Sequence, residues 1–377
     1  MLAGMGVAVA TLALAVAGSL GPASGEPPAQ SGDEAAWSAD SKMTDHRGRW
    51  KEIAKAPFGS TDVEAIWTGD EIILFERESR RVASYDPTAD AWTRRAKMPE
   101  RYDSDVFGPA VWTGSEVIIP GLLQSSSGPN VLGGYRFDPG PGSWAQVAES
   151  DVASDAEASD QSDTKGTGVD AAAWDGSRVL AVTSDHEVAG YDPASDSWKH
   201  LRGIDDDGYV WRVYVGDMGP FVETRDADGI TLHSYDAETE AWTTEPASPL
   251  DPDAVREGAF WFGDRLAYVT FHPGGLDQGA ADAWFDPATA EWTTFRHGCG
   301  GTWLKNDGAT PAGSFLVDGA GRRMLDMETG RCHRLPRQSP RFLGGQLVWT
   351  GEQLIYWSGV KDDSSAPTRR GLSLSVD

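Results

Sequence analysis

The chain has 377 residues, a length that fits either two or three small domains or one large all-β domain. Its 58 acidic and 32 basic residues give a net charge of -26, which argues against binding to nucleic acids or anionic membranes. A hydrophobic fraction of 40% excludes a wholly disordered chain. Two cysteines are too few for a disulfide-framework miniprotein or a four-cysteine zinc site.

The first segment in chain order is apolar. Residues 1–20 carry no charge and are followed by the small residues 21–25, a pattern that predicts a signal peptide over 1–25. No Lys or Arg precedes the apolar run, and its twenty residues are enough to cross a bilayer. The alternatives are an uncleaved membrane anchor and a buried helix. Residues 26–47 are rich in Pro, Ser and Asp and are predicted to form a disordered linker before a folded region at 48–377.

Two short patterns recur along the folded region. In the first pattern, an aromatic residue is followed directly by Asp, and a Trp stands seven places after the aromatic residue. One degenerate copy has Leu in place of the aromatic residue and Cys in place of the Trp. Its copies begin at Tyr85, Phe137, Tyr191, Tyr235, Phe285 and Leu325, and end at Trp92, Trp144, Trp198, Trp242, Trp292 and Cys332. The second pattern is an aromatic residue, any residue and Gly, followed in most copies by an apolar run. Its copies begin at Trp67, Trp112, Trp174, Tyr214, Trp261 and Trp349.

Both patterns predict β-hairpins. Asp-Pro starts a turn, and the aromatic and Trp on either side of it can stand opposite each other as a cross-strand pair. Two hairpins make a four-stranded antiparallel unit, and such units repeat every 40 to 54 residues, the period of a β-propeller blade. The last unit, at 343–376, is one strand short. The segment 48–54 can supply its outer strand and close a ring of seven blades.

These patterns resemble the kelch-repeat family of β-propellers in a secreted bacterial form, over about residues 48–377. The resemblance implies an all-β fold of seven blades with four antiparallel strands each. The family includes two enzyme classes, the galactose oxidases and the sialate mutarotases. No His, Tyr and Cys spacing in this sequence resembles the copper-radical site of galactose oxidase, and no motif identifies a mutarotase.

Cys299 and Cys332 are the only cysteines. Cys332 takes the place of the repeat Trp, so its side chain should point into the blade packing. In an exported protein the pair is predicted to form a disulfide, which would stabilise the fold by about 3 kcal/mol through its loop of about 34 residues. A metal site that also uses His297 and His333, or two free thiols, are the alternatives.

Acidic runs suggest calcium, but none has the EF-hand spacing, so they are predicted to be solvated loops. They comprise Asp151, Asp155, Asp160 and Asp163 in one loop and Asp205, Asp206 and Asp207 in another. Arginines beside aromatics indicate a binding face instead. The candidates are Arg94, Arg95, Arg101, Tyr102, Trp211, Arg212, Trp303 and Lys305. Packing of Trp211 and Trp303 inside the blades is the alternative.

The sequence thus predicts a secreted or cell-surface binding module that recognises a protein or glycan, an anionic sugar or acidic peptide in particular, through one face of a propeller. No catalytic residue, metal or cofactor is assigned, and no nucleic acid is expected as a partner. A membrane is a partner only if the N-terminal segment is retained. The alternative is a secreted propeller enzyme, either a galactose-oxidase-like oxidase or a sugar isomerase.

Overall fold

The computed structural model describes residues 44–376, with gaps at 100–106, 124–129, 152, 155–167, 253–254, 256–257, 271–281, 298, 300–307, 340–341, 344, 358 and 362–366. Within these residues the chain forms seven antiparallel sheets that are arranged as the blades of a β-propeller, as predicted. No helix that is long and apolar enough to cross a bilayer occurs in this part of the chain.

The blades follow one another along the chain, and each is built outward from its inner strand. Blade 1 contains β3 (Val63–Trp67), β4 (Ile72–Glu76), β5 (Arg81–Asp86) and β6 (Ala91–Arg94). Blade 2 contains β7 (Val111–Trp112), β8 (Val117–Leu123), β9 (Asn130–Asp138) and β10 (Ser143–Gln146), and β11 (Ala153–Ser154) also pairs with β9. Blade 3 contains β12 (Val169–Trp174), β13 (Val179–Thr183), β14 (Val188–Asp192) and β15 (Ser197–Leu201). Blade 4 contains β16 (Tyr209–Gly216), β17 (Gly219–Arg225), β18 (Ile230–Asp236) and β19 (Ala241–Thr244).

The remaining blades complete the ring. Blade 5 contains β20 (Ala259–Phe262), β21 (Arg265–Tyr268), β22 (Asp282–Asp286) and β23 (Glu291–Phe295). Blade 6 contains β24 (Ala309–Ala312), β25 (Phe315–Asp318), β26 (Arg323–Asp326) and β27 (Cys332–Arg334). Blade 7 contains β29 (Gln346–Trp349), β30 (Gln353–Trp357) and β32 (Gly371–Ser375). The short strands β28 (Phe342–Leu343) and β31 (Val360–Lys361) pair with each other.

The ring closes through the N-terminal segment, as predicted. Strand β2 (Lys51–Glu52) pairs antiparallel with β32 and forms the outer strand of blade 7. The outer edge of blade 6 carries a further strand, β1 (Thr44–Asp45), which pairs parallel to β27. The segment predicted as a disordered linker over 26–47 therefore ends in a paired strand.

The repeat spacing produces the predicted hairpin in six blades. The aromatic and the Trp stand directly opposite each other, as Tyr85 and Trp92 do with ring centroids 4.9 Å apart. The Asp after the aromatic forms the turn, because the Asp86 carboxylate accepts the backbone N–H groups of Thr88 and Ala89. The residue two places before the Trp takes a positive φ, which is 47° at Asp90. The same position has a positive φ at Gly142, Asp196, Glu240, Ala290 and Gly330.

Each repeat Trp also holds the linker that leads into its own blade, and Trp50, next to the outer strand β2 of blade 7, takes the same position there. The indole N–H of each Trp donates a hydrogen bond of 2.7 to 3.1 Å to a backbone carbonyl in that linker. The acceptor lies four residues after the Trp, or the Cys332 that replaces it, of the preceding blade. The six pairs are Trp50–Pro336, Trp92–Ala54, Trp144–Ala96, Trp198–Ala148, Trp242–Arg202 and Trp292–Pro246. We call these contacts the linker clasps. In blade 6 the Trp position is Cys332, and its disulfide to Cys299 in the linker takes the place of the hydrogen bond.

The hydrophobic core lies between adjacent blades rather than at one centre. One cluster joins Phe75 of blade 1 to Phe137 of blade 2, and another joins Leu74 of blade 1 to Trp357 of blade 7. The second strand of a blade is buried on both faces, as all five residues of β4 and of β13 show. Every blade thus depends on two neighbours, which is why closure of the ring matters for stability.

Candidate functional site

The ends of the inner strands that receive the linkers lie on one side of the ring, which we call the front face. In blades 3 and 4 the regular pairing of these inner strands is interrupted close to their first residues. The pairing of β12 with β13 shifts by one residue at Asp170, and the pairing of β16 with β17 shifts at Trp211. Both irregularities are β-bulges, which turn a side chain away from the regular alternation and are frequent beside functional sites.

Asp170 is a partly buried carboxylic acid for which no hydrogen bond or ion pair is formed with any part of the chain that the structure describes. Burial, and then the charge of Asp185, raises its pKa to about 7. A carboxylic acid with this pKa exists in both protonation states near neutral pH, so it can donate or accept a hydrogen bond from a ligand.

Tyr209 is the exposed aromatic of the front face. It begins β16, 46% of its surface is accessible, and its ring contacts Trp211 edge-on at 5.9 Å. Trp211 is itself held from behind, since the guanidinium of Arg225 lies 4.0 Å from its ring centre. Its indole N–H has no hydrogen-bond partner among the described residues. Trp211 therefore serves mainly as a packed support for Tyr209, in line with the packing alternative of the sequence analysis.

The support beneath Trp211 is a buried ion pair. The Arg225 Nε donates to the Glu223 carboxylate at 2.6 Å, and both side chains are almost fully buried. The same carboxylate accepts the hydroxyls of Tyr214 and Tyr268, at 2.5 and 3.0 Å. This carboxylate raises the pKa of both tyrosines further beyond the effect of burial. The cluster joins blade 4 to blade 5 and fixes the position of Trp211.

A hydrogen bond connects the two bulged strands through the front-face turns. His186, which follows Asp185 in the β13–β14 turn, places its Nε2 2.6 Å from the carbonyl of Gly208. Gly208 immediately precedes Tyr209. The β13–β14 turn, whose Asp185 acts on Asp170, is thus hydrogen-bonded to Gly208, the residue next to Tyr209. We call Asp170, Tyr209, Trp211 and Arg212 the front-face site.

The second acidic run has a structural role. Asp206 accepts the N–H of Gly208 at 2.7 Å, and its carboxylate lies 3.3 Å from the Nε2 of His233. Burial lowers the pKa of His233, although Asp206 opposes this effect. In the other run, Asp155, Asp160 and Asp163 lie outside the described residues.

The remaining candidates of the sequence analysis do not all meet at this site. Arg94 is exposed on the outer strand β6 and donates to the Pro57 carbonyl at 3.4 Å. Arg95 is engaged with the Glu71 carboxylate at 2.7 Å and the Ser84 hydroxyl at 2.9 Å. Of the four candidates that the structure describes, Trp211 and Arg212 lie at the front-face site, whereas Arg94 and Arg95 do not. Arg101, Tyr102, Trp303 and Lys305 lie outside the described residues.

The cysteines form the predicted disulfide. Cys299 and Cys332 are bonded to each other with their Cα atoms 4.9 Å apart, and both are buried. This removes the metal site and the free thiols as alternatives, because neither sulfur is a thiolate.

The sequence analysis missed Asp170 and Tyr209, although each left a signal. Asp170 is a charge at the second residue of an inner strand otherwise made of Val, Ala and Trp. Tyr209 and Trp211 are two residues apart at the start of a strand, a spacing that ordinarily puts side chains on one side.

No protein-family model matches the chain, and no curated protein matches it. Among solved structures, the chain is similar to one titled "YCF48 bound to D1 peptide", with a TM-score of 0.53 and 13% sequence identity. The match covers 89% of this chain and 98% of that chain. The fold and this similarity define the protein as a seven-bladed β-propeller.

Proposed function

We propose that the chain is an exported, non-enzymatic binding module of kelch type that recognises a segment of another protein at the front-face site. The observation that carries this proposal is the exposed ring of Tyr209, which is backed by Trp211. The adjoining inner strand β12 carries Asp170, which forms no hydrogen bond or ion pair with the described residues. Exposed aromatics on a rigid support are the commonest anchors of recognition sites. The similar propeller named above is titled as bound to a peptide, which supports a peptide as the ligand class.

The charge around the site favours a cationic segment. Residues 148–295 run along the chain from the end of β10 to the end of blade 5, and they hold 31 acidic and 8 basic residues, a net charge of -23. A peptide Lys or Arg could pair with Asp170 in its ionised form while an adjacent apolar side chain packs on Tyr209. The expectation of an anionic ligand depended on Arg94, Arg95, Arg101 and Tyr102, of which Arg101 and Tyr102 lie outside the described residues.

Export is part of the proposal. A disulfide persists in oxidising compartments and is rare in reducing ones, and the apolar segment 1–20 supplies a route for export. Membership of the kelch family is supported by the repeat spacing and by the linker clasps that it builds.

A second candidate function is an acid–base enzyme such as a sugar isomerase, and the pKa of Asp170 favours it. A carboxylic acid that titrates at about 7 is suited to exchange protons with a substrate at neutral pH. A glycan would then stack on Tyr209, and conversion of the glycan would require Asp170.

A displayed library of random peptides and a glycan array, each probed with the full chain, test the proposal. We expect enrichment of peptides that carry Lys or Arg beside an apolar residue, and a tenfold or greater loss of their binding in Tyr209→Ser. Met218→Ser is the matched control, because Met218 is 62% exposed in the turn at the opposite end of β16. Equal binding by the wild type and Tyr209→Ser would refute the site. Turnover of a glycan that Asp170→Asn abolishes would favour the enzyme.

A further inference from the structure

The charge of the chain is distributed unevenly around the ring. Residues 148–295, the stretch of sequence that contains blades 3 to 5, carry a net charge of -23. Residues 296–377, the stretch that contains blade 6 and three strands of blade 7, hold 8 acidic and 11 basic residues and carry +3. Four strands at about 4.8 Å make a blade about 15 Å deep, so opposite blades lie about 30 Å or more apart. Salt screens charges over about 8 Å, so the acidic blades do not cancel the basic ones at their own surface.

The basic residues are concentrated where the N-terminal segment crosses the outer edges of blades 6 and 7. Six of them are exposed on two adjoining stretches of chain, and we call this set the basic rim. Its members are Arg47, Arg49, Lys51, Arg331, Arg334 and Arg337.

Backbone and side-chain contacts hold the two stretches together. Thr44 and Asp45 pair with His333 and Arg334, and the N–H of His46 donates to the Arg334 carbonyl at 2.9 Å. Farther along, the Trp50 indole donates to the carbonyl of Pro336 at 2.9 Å. The cations of residues 47–51 are thereby fixed beside those of residues 331–337.

Among the residues that the structure describes, the basic rim has few ion-pair partners. Within the described residues its only ion pair joins Arg334 to Asp45 at 3.4 Å, and these side chains are 62% and 78% exposed. Exposed pairs of this kind hold their partners weakly. Glu52, which follows Lys51, is taken up by Arg370. Several guanidinium groups on one surface match the geometry and charge of phosphate groups.

The position of the rim indicates where those phosphates would come from. The chain reaches blade 6 at Thr44, and upstream lies the uncharged apolar segment 1–20. The intervening stretch of about 23 residues spans roughly 25–30 Å if it behaves as a flexible chain, so a membrane that holds the apolar segment stays near the rim. Basic clusters beside a membrane segment bind anionic headgroups.

We propose that the basic rim docks on the phosphate headgroups of an anionic lipid surface. Blades 6 and 7 then face the membrane, and the acidic blades 3 to 5 point away from it. This inference does not rest on the front-face site. It takes the apolar segment 1–20 as retained in the membrane, which is the anchor alternative of the sequence analysis. It also qualifies the argument from the net charge of -26, which averages over two unlike sides of the ring.

Co-flotation of the full chain with vesicles tests the proposal. We compare vesicles of phosphatidylcholine alone with vesicles in which about two-fifths of the lipid is phosphatidylglycerol. Insertion of the apolar segment contributes to binding in both, because that segment carries no charge. The preference for anionic vesicles isolates the basic rim. Each cation near the surface contributes about fivefold, so Arg47→Gln, Arg49→Gln and Arg337→Gln together should reduce this preference about a hundredfold.

The matched control removes three exposed cations from the acidic blades with the same change in net charge. It combines Lys199→Gln, Arg202→Gln and Arg265→Gln, and we expect it to keep most of the preference for anionic vesicles. Raising the salt concentration should abolish that preference in the wild type. Equal wild-type binding to both vesicles, or an equal loss in the control and the rim variant, would overturn the proposal. Rim-dependent binding to polyglutamate without a preference for anionic vesicles would overturn it in favour of an acidic protein partner.

Discussion

The linker clasps predict a hierarchy of stabilities around the ring. Six clasps are single hydrogen bonds and the seventh is the disulfide between Cys299 and Cys332. A net hydrogen bond contributes about 1 kcal/mol, so Trp198→Phe, which loses the 2.7 Å bond to Ala148, should lower the free energy of unfolding by about 1 kcal/mol beyond its packing loss. The disulfide joins residues separated by 33 positions, and a loop of that length corresponds to between about 3 and 4 kcal/mol.

Equilibrium unfolding in urea under non-reducing conditions measures both effects. The disulfide is removed with Cys299→Ala and Cys332→Ala, because serine would bury two hydroxyls without partners. We expect the double variant to lose more stability than Trp198→Phe, although the packing loss of Trp198→Phe offsets part of the difference of about 2–3 kcal/mol between the two clasps. A loss no larger than that of Trp198→Phe would refute the reasoning, since the covalent clasp would then add nothing to the hydrogen bond it replaces.

Three further predictions concern single positions. Ala290 has a φ of 55°, which glycine adopts more easily, so Ala290→Gly should raise the free energy of unfolding by about 1 kcal/mol. Gly142 has a φ of 68°, so Gly142→Ala should lower the free energy of unfolding by a similar amount. Urea unfolding measures both changes. The pKa of Asp170 is raised from 3.8 to about 7 in the folded chain, so the free energy of unfolding should fall as the pH rises from 4 to 7. Asp170→Asn should remove this dependence and stabilise the fold at pH 8 by up to about 3 kcal/mol. Urea unfolding at pH 4 and 8 that shows no difference between the wild type and the variant would contradict the prediction. Arg225→Met should cost about 3–5 kcal/mol in thermal or urea unfolding, because it leaves the Glu223 carboxylate buried without its cation.

The bulged inner strands show why the front-face site needed the tertiary structure. A bulge depends on how β12 pairs with β13, and the effect of the Asp185 charge on Asp170 depends on a turn fifteen residues away. The link from His186 to Gly208 crosses from one blade to the next. None of these distances is encoded in a local spacing. The sequence could indicate Asp170 only as an unexpected charge in an apolar strand.

The hairpins, in contrast, were predictable because their determinants are local. An aromatic and a Trp seven residues apart, joined through an Asp that bonds the turn, leave one stable arrangement, and Tyr85 and Trp92 adopt it. Counting these units gave the number of blades, and the missing strand of the last unit gave the closure. The place of Cys332 in the repeat also indicated its burial, since the Trp it replaces is always turned toward the linker.

What only the tertiary structure decided is how distant parts of the chain adjoin. The basic rim exists because β1 lies on blade 6 and β2 on blade 7, which brings Arg47 beside Arg334 although 287 residues separate them in the sequence. Local hydrogen bonds in the turns determine the fold of each blade within about 40 residues. The cluster of positive charge at the basic rim instead depends on which blades the N-terminal segment crosses. The sequence by itself therefore determined the seven blades and their closure, while the ring geometry decided which distant side chains adjoin at the front-face site and at the basic rim.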